Sequence, residues 1–252
     1  YRLLFIIDGV SFILFFVVIY AAIKNNRNYV AKVNSGSIPQ QIASWKAALT
    51  DNRLLIFVVV NIIFTTYISQ LHSTLPVYFS KFIQISEANK GFTETTISAL
   101  FTWHLILAII AQLPVARLMK RLSHSAALTI SAFLWAIGFI CIWVSGVFLS
   151  YPIAWAALAL SLFALAIVSY TPSASALVSE IAPLDKRGLY FSINSLCWAA
   201  GYFIGPPLGG LALDQSQFVI NSFWLILATS VILTITILRY LHSLLLVKMN
   251  SD

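Results

Sequence analysis

Two ionisable side chains, Asp8 and His104, stand inside long apolar stretches of this sequence. A charged group at the centre of a bilayer costs about 2.5–3.5 kcal/mol on insertion scales, so such residues usually face a cavity or a partner. A carboxylate can bind a proton or a cation there, and an imidazole titrates near physiological pH. We predict proton or cation exchange at these two positions. The alternative for each is a structural hydrogen bond to a neighbouring helix.

Amide and aromatic side chains supply further chemistry within the same stretches. Their hydrogen-bonding groups need partners in apolar surroundings, so they are candidates to line a polar cavity that binds a small molecule. Part of this set would serve helix packing alone. The candidates are Asn61, Tyr67, Gln70, Tyr170, Asn194 and Trp198.

Seven apolar stretches carry these residues. Each is near the roughly 20 residues that a spanning helix needs, and each is too long and too evenly apolar for a barrel strand of about 10 residues. The sequence therefore predicts an all-α membrane protein with seven transmembrane helices. The predicted spans are Leu3–Ile23, Leu54–Pro76, Thr96–Ala116, Ala126–Phe148, Pro152–Pro172, Leu189–Ala212 and Phe218–Tyr240.

Lysine and arginine are distributed unevenly among the connections. Of the 15 such residues, all but Arg2, Lys81 and Lys90 fall on alternate connections. The cytoplasmic loops of membrane proteins carry the excess of basic residues. We therefore predict that residue 1 lies outside and that the C-terminus lies in the cytoplasm.

Composition excludes several other classes of protein. The chain is 60% hydrophobic and 9% charged, whereas soluble domains are about 25% charged. Its net charge of +7 follows from the basic cytoplasmic loops, so nucleic acid is not an expected partner. Cys141 and Cys197 lack metal-site spacing and are expected to be apolar fillers. No carboxylate pair, metal cluster or phosphate-binding loop indicates an enzyme, a metal or a cofactor.

A polar, basic segment between the first two spans predicts a division of the chain. Residues 24–53 contain several asparagines together with Pro39, which is typical of a linker between two units. Within the linker, Ile42, Trp45 and Leu49 have helical spacing, which favours a short interfacial helix over residues 40–49 or a Trp-anchored linker. We predict a last helix of a preceding bundle at 1–23, a cytoplasmic linker at 24–53 and a six-helix bundle at 54–252.

This order of elements resembles the major facilitator superfamily. The segment Tyr1–Gly9 is similar to the start of the sixth helix in drug-efflux members of that family, and Trp45–Asp51 is similar to the lead-in to the seventh. Gln70–Pro76 resembles the outer end of that seventh helix. The resemblance implies the C-terminal six-helix half of a twelve-helix transporter, one preceding helix, and an N-terminal half that is missing from this sequence and supplied in the same or another chain.

The sixth predicted span contains the most specific match. Its glycine-rich pattern resembles the family's antiporter motif, and by counting it would occupy the eleventh helix. Glycines four residues apart leave one helix face without side chains, so that a neighbouring helix can approach closely, and proline softens the helix. Ordinary tight packing is the alternative to a gating role. The pattern consists of Gly201, Gly205, Pro206, Gly209 and Gly210.

Two cytoplasmic loops resemble further parts of the family pattern. In Gln112–Arg121 only the basic positions, including Arg117, match the second copy of a loop motif, and Ala116 stands where an acid is expected. The alternative there is a set of positive anchors. In the loop Glu180–Gly188, a contact between Glu180 and Arg187 would latch the inward face shut, or the loop is a solvated charged turn.

The resemblance implies a function. We expect proton-coupled efflux of amphipathic small molecules by alternating access, in the inner (plasma) membrane of a bacterium, with protons, a small-molecule substrate and the lipid bilayer as partners and no cofactor. Three alternatives stay open: a seven-helix receptor, a small sugar carrier, and a half-transporter that acts as a structural subunit of a membrane complex. The sequence lacks the acidic-Arg-Tyr triplet that a receptor would carry after its third span. A sugar carrier would have its unpaired linker helix in fourth position, whereas the long linker here isolates the first helix.

Overall fold

The structure is a computed structural model that describes residues 2–25, 38–85 and 90–249. The chain divides into two compact units, Tyr1–Ala43 and Ser44–Asp252. Residues 26–37, which form much of the predicted linker, lie outside the described part. Each unit is therefore described by itself.

The first unit contains α1 (Arg2–Asn25) and the start of α2 (Ile38–Leu49). In α1 the hydroxyl of Ser11 donates to the backbone carbonyl of Asp8 at 2.7 Å, a local bond that is common in apolar helices. Proline is tolerated in the first turn of a helix, because a backbone N–H at that position would have no acceptor within the helix. In α2, Pro39 lies in this first turn. This helix includes the segment 40–49 predicted from the spacing of its apolar residues.

The second unit consists of long helices. They are α3 (Asn52–His72), α4 (Thr74–Lys81), α5 (Glu94–Met119), α6 (His124–Val147), α7 (Pro152–Ile181), α8 (Arg187–Leu213) and α9 (Gln217–Met249). Among the described residues, six helical segments are long and apolar enough to cross a membrane, and α1 contributes the shorter apolar segment Ile6–Ala22. The predicted all-α membrane fold is confirmed.

Polar caps decide where several helices begin. The side chain of Asp51 accepts from the backbone N–H of Arg53 at 3.0 Å at the start of α3. Thr93 and Ser123 cap α5 and α6 in the same way. Each cap supplies a partner for a backbone donor that the first helical turn leaves unpaired.

Two predicted spans that were expected to end at a proline differ in the structure. The span predicted as Leu54–Pro76 is interrupted at Ser73, since Pro76 cannot donate a backbone bond to the carbonyl of His72. By contrast, α7 continues through Pro172 to Ile181. Helices that cross membranes tolerate proline where neighbouring helices and hydroxyl side chains satisfy the freed backbone groups.

Aromatic side chains fill the centre of the second unit. Trp135 on α6 lies 4.7 Å from Phe163 on α7 and 5.8 Å from Tyr67 on α3, measured between ring centroids. Gly138 allows this approach, because a Cβ there would lie 2.7 Å from Cδ1 of Phe163. Trp224 on α9 completes the cluster. This core holds α3, α6, α7 and α9 together and so fixes the face that α3 presents to α8.

Candidate functional site

A row of polar contacts joins α3 to α8 along most of their length. The Tyr190 hydroxyl donates to Asp51 at 2.8 Å, and the Thr65 hydroxyl lies 2.9 Å from the carbonyl of Cys197. Gln70 donates to the carbonyl of Gly205 at 2.7 Å. Residue numbers rise together on both helices, so the two run parallel. We call this interface the α3–α8 seam.

Three glycines bring the two backbones close at the seam. A Cβ at Gly201 would lie 2.6 Å from Cβ of Thr65, and one at Gly205 would lie 2.7 Å from Cβ of Ser69. A Cβ at Gly209 would lie 2.7 Å from Cβ of Thr74. All three distances are shorter than real Cβ contacts, so the bare glycine face is what lets α3 and the start of α4 approach α8.

The other two residues of the glycine-rich pattern lie away from this contact. A Cβ at Gly210 would meet nothing within 4 Å, and Pro206 is exposed. Both line a cavity of about 310 Å³ that also includes Lys81 and Asp214. One face of the glycine-rich pattern therefore packs closely, and another face borders the cavity.

A buried polar cluster lies beside the seam. Asn61 on α3 is fully buried, accepts a hydrogen bond from the Tyr170 hydroxyl on α7, and lies 2.7 Å from Asn194 on α8. Trp198 adds a ring 6.3 Å from that of Tyr170. We call Asn61, Tyr170 and Asn194 the polar cluster. Four of the six predicted cavity residues thus lie together.

The remaining two cavity candidates have different surroundings. The Tyr67 hydroxyl lies 2.6 Å from the Ser230 hydroxyl on α9, so this residue faces the core and not the seam. Gln70 lies further along the seam, where its Oε1 accepts from Thr74 while its amide nitrogen donates to Gly205. Gln70 therefore has partners on both sides of its amide group.

A row of aromatic rings continues from the cluster towards one end of the seam. Tyr202 lies 6.4 Å from Trp198 and 6.3 Å from His72, with interplanar angles of 19° and 16°. The Tyr202 hydroxyl also lies 2.9 Å from Nδ1 of His72. Tyr202 is 41% exposed, so the row presents a flat aromatic surface next to the polar cluster.

The two predicted exchange residues lie apart from the cluster. His104 is buried, and its Nδ1 donates to the carbonyl of Leu160 on α7 at 2.8 Å. Asp8 lies in α1, in the other unit. Within the described ranges, no group of three His, Cys, Asp or Glu side chains could hold a metal ion.

One charged loop residue has a partner different from the one expected. Glu180 lies 3.9 Å from Nε2 of His124, the first residue of α6, because α7 ends where α6 begins. Arg187 is exposed at the start of α8, and the described part of the chain contains no ion pair that involves it. Arg117 is exposed in the last turn of α5. The structure therefore does not contain the predicted contact between Glu180 and Arg187.

Sequence reasoning missed the partners of the glycines. Thr65 and Ser69 are buried on α3 and Thr74 is buried at the start of α4, and they are spaced by four and five residues, close to the spacing of the glycines on α8. Hydroxyl residues can occupy a close helix contact because they are small and can bond to the opposite backbone. Matching one small-residue stripe to another in the same sequence would have identified the pair.

A sequence model of the Major Facilitator Superfamily matches residues 82–247, well over half of the chain. The chain belongs to the major facilitator superfamily. The match covers α5 to α9, and the glycine-rich pattern of α8 lies within it. Membership excludes the seven-helix receptor and the small sugar carrier, and with the six apolar helices it makes this major facilitator protein an integral membrane protein.

Two solved structures share the fold of this major facilitator protein. One is a POT family transporter in complex with a thioalcohol-conjugated peptide, with 14% identity and a TM-score of 0.61. The other is a POT family transporter in complex with 5-aminolevulinic acid, with 15% identity and a TM-score of 0.55. Each match covers 97% of this chain and 54% of the solved chain. No curated protein sequence matches significantly.

Proposed function

We propose that this chain supplies the C-terminal half, and one further helix, of a secondary transporter that exports amphipathic small molecules in exchange for protons. Alternating access would expose a midplane site to each side of the membrane in turn. The N-terminal half is provided by the same or another polypeptide. The distribution of basic residues favours residue 1 outside and the C-terminus in the cytoplasm. We propose the inner membrane of a bacterium as its location.

The observation that carries the proposal is the buried polar cluster beside a glycine-packed seam. Asn61 is buried and Asn194 is half-buried, and such amides cost free energy in an apolar bundle unless they are paired; here they are paired with each other across two helices. The glycines of α8 let it lie against α3 without interlocking side chains. A smooth contact of this kind supports a small movement of one helix along the other.

The aromatic row supports an amphipathic substrate. Trp198, Tyr202 and His72 form a stacked, half-exposed surface, and a flat cationic or aromatic ligand binds well against such rings. The polar cluster begins next to Trp198, so the ligand's polar group would have hydrogen-bonding partners at one end. We propose this row as the part of the site that contacts substrate.

Coupling to protons would use Asp8 first and His104 second. Asp8 is the acidic residue inside an apolar helix, and protonation removes the charge that is costly in the membrane. His104 donates from Nδ1 to the carbonyl of Leu160. Only a group whose charge changes during the cycle can link the proton gradient to movement of substrate.

Transport in proteoliposomes tests the proposal. The chain, purified with any copurifying polypeptide whose intact mass is determined, is reconstituted with ethidium as the probe, and a pH gradient is imposed. We expect ethidium to move only while the gradient persists, and a protonophore to abolish the movement. Asp8→Asn should abolish gradient-driven movement and preserve exchange of ethidium at equal pH.

The control for this variant is Asp214→Asn, which removes an exposed carboxylate at the end of α8. It should transport like the unchanged protein. If Asp8→Asn keeps gradient-driven transport while His104→Gln loses it, coupling belongs to His104. If a panel of amphipathic cations is not moved under any gradient, the chain is a structural subunit and the proposal fails.

A further inference from the structure

A second cavity opens at the end of the bundle where α6 begins and α9 nears its end. It measures about 530 Å³, within the roughly 300–1,000 Å³ typical of ligand sites. Ser125 and Thr129 line it from α6, and Leu238, Arg239 and His242 line it from α9. None of the residues named above for transport contributes to it.

The polar side of the cavity favours an anion. Arg239 and His242 supply donors, and none of the ten lining residues is acidic. Within the described residues, Arg239 has no ion pair. Arginine presents a planar fork of N–H groups that matches the oxygens of a phosphate group.

An unused hydroxyl points to the same ligand. Ser125 is 5% exposed and lines the cavity, and no residue in the described part of the chain forms a hydrogen bond with its Oγ. The other hydroxyls are occupied, since Thr129 donates to the carbonyl of Ser125 and Ser243 donates to that of Tyr240. The first turn of α6 also faces the cavity, and helix N-termini favour negative charge.

The apolar side of the cavity continues along the outer surface of α6. Ile130 lines the cavity and is 37% exposed. Phe133, Ile137 and Ile140 follow at helical spacing and are 52%, 48% and 43% exposed, so one apolar stripe leads from the cavity towards the middle of the bilayer. A soluble phosphate compound would leave this stripe unused, whereas an acyl chain would cover it.

From these observations we propose that the cavity between α6 and α9 binds the headgroup of an anionic phospholipid, with the phosphate group at Arg239, His242 and Ser125 and an acyl chain along Ile130 and Phe133. The site lies next to the basic connection that contains Lys120 and Arg121, where anionic lipids of the cytoplasmic leaflet gather. The lipid would fasten the end of α9 to the start of α6.

Native mass spectrometry of the full chain tests the site. The delipidated protein is titrated with phosphatidylglycerol or with phosphatidylcholine of the same acyl chains, and we expect tighter binding of phosphatidylglycerol. Arg239→Gln should weaken the binding of phosphatidylglycerol about fivefold. This corresponds to about 1 kcal/mol, the contribution of one arginine near a membrane surface. Its affinity for phosphatidylcholine should not change, and Arg239→Lys should recover part of the loss.

The matched control is Arg121→Gln, which removes an exposed charge at the same end of the bundle outside the cavity lining. Because Arg121 lies outside the cavity, this variant should weaken phosphatidylglycerol binding clearly less than Arg239→Gln does, and it should leave phosphatidylcholine binding unchanged. Circular dichroism at rising temperature checks that the exposed Arg239 can be replaced without unfolding, and His242→Gln provides a second variant with a smaller loss.

Three results would overturn the proposal. Equal affinity for the two lipids in the unchanged protein would remove the anion preference. Equal effects of Arg121→Gln and Arg239→Gln would show attraction to general surface charge. Displacement of phosphatidylglycerol by an equal concentration of glycerol 3-phosphate would show that the occupant is a soluble phosphate compound.

Discussion

Replacing Gly201 by alanine perturbs the α3–α8 seam at a point where the new Cβ would meet the backbone of α3. The added Cβ would lie 2.6 Å from both Cβ and the backbone carbonyl carbon of Thr65. A rotamer change of Thr65 moves neither atom, so the helices themselves must separate. Restoring an ordinary contact of 3.4 Å needs about 0.8 Å of separation, the difference between 3.4 and 2.6 Å.

That separation also affects the nearest hydrogen bond. The Thr65 hydroxyl lies 2.9 Å from the carbonyl of Cys197, and adding 0.8 Å gives about 3.7 Å, which is too long for a hydrogen bond. Overpacking costs about 1–3 kcal/mol, and an interhelical hydrogen bond in a membrane contributes about 0.6 kcal/mol. We expect Gly201→Ala to lower the free energy of unfolding by about 2 kcal/mol.

Equilibrium unfolding in detergent, followed by circular dichroism during titration with dodecyl sulfate, measures this change. Gly210→Ala is the matched control, because it lies on the same helix and its Cβ would meet nothing within 4 Å. We expect that control to be neutral or slightly stabilising, since alanine favours helix over glycine by about 1 kcal/mol in soluble peptides. Equal destabilisation by the two variants would refute the close contact between α3 and α8.

Two further substitutions test the polar contacts of the same region by the same unfolding assay. Tyr170→Phe removes a hydroxyl from the polar cluster and should cost about 0.6–1.7 kcal/mol, between the average and the largest value measured for hydrogen bonds between membrane helices. Tyr240→Phe, on an exposed ring, should cost nothing. Asp51→Ala removes the cap of α3 and the acceptor of Tyr190 and should cost about 2 kcal/mol, near the upper end for a lost cap. If Asp214→Ala, at an exposed helix end, costs as much, the cap does not stabilise α3.

The sequence was sufficient for the number and type of the long helices. Transfer of an apolar run such as Ala126–Phe148 from water into the bilayer as a helix is favourable whatever its neighbours are. This transfer alone therefore predicts the long helices. The family resemblance at Gly201–Gly210 was likewise local, because it depends on spacing within one helix. The break at Ser73 and the continuation of α7 through Pro172 depend on how the freed carbonyls are satisfied, and the sequence does not show this.

The partner of each buried group was decided by the tertiary structure. In a soluble helix an apolar stripe shows which face turns inward. Around a membrane helix, lipid and protein interior are equally apolar, so the sequence does not show which residues face the core. The sequence therefore identified Asn61, His104 and Glu180 as candidates, while only the packing of the helices joined them to Tyr170, Leu160 and His124. It also brought the glycines of α8 against the hydroxyls of α3, because that contact requires two helices more than 100 residues apart in sequence to run parallel.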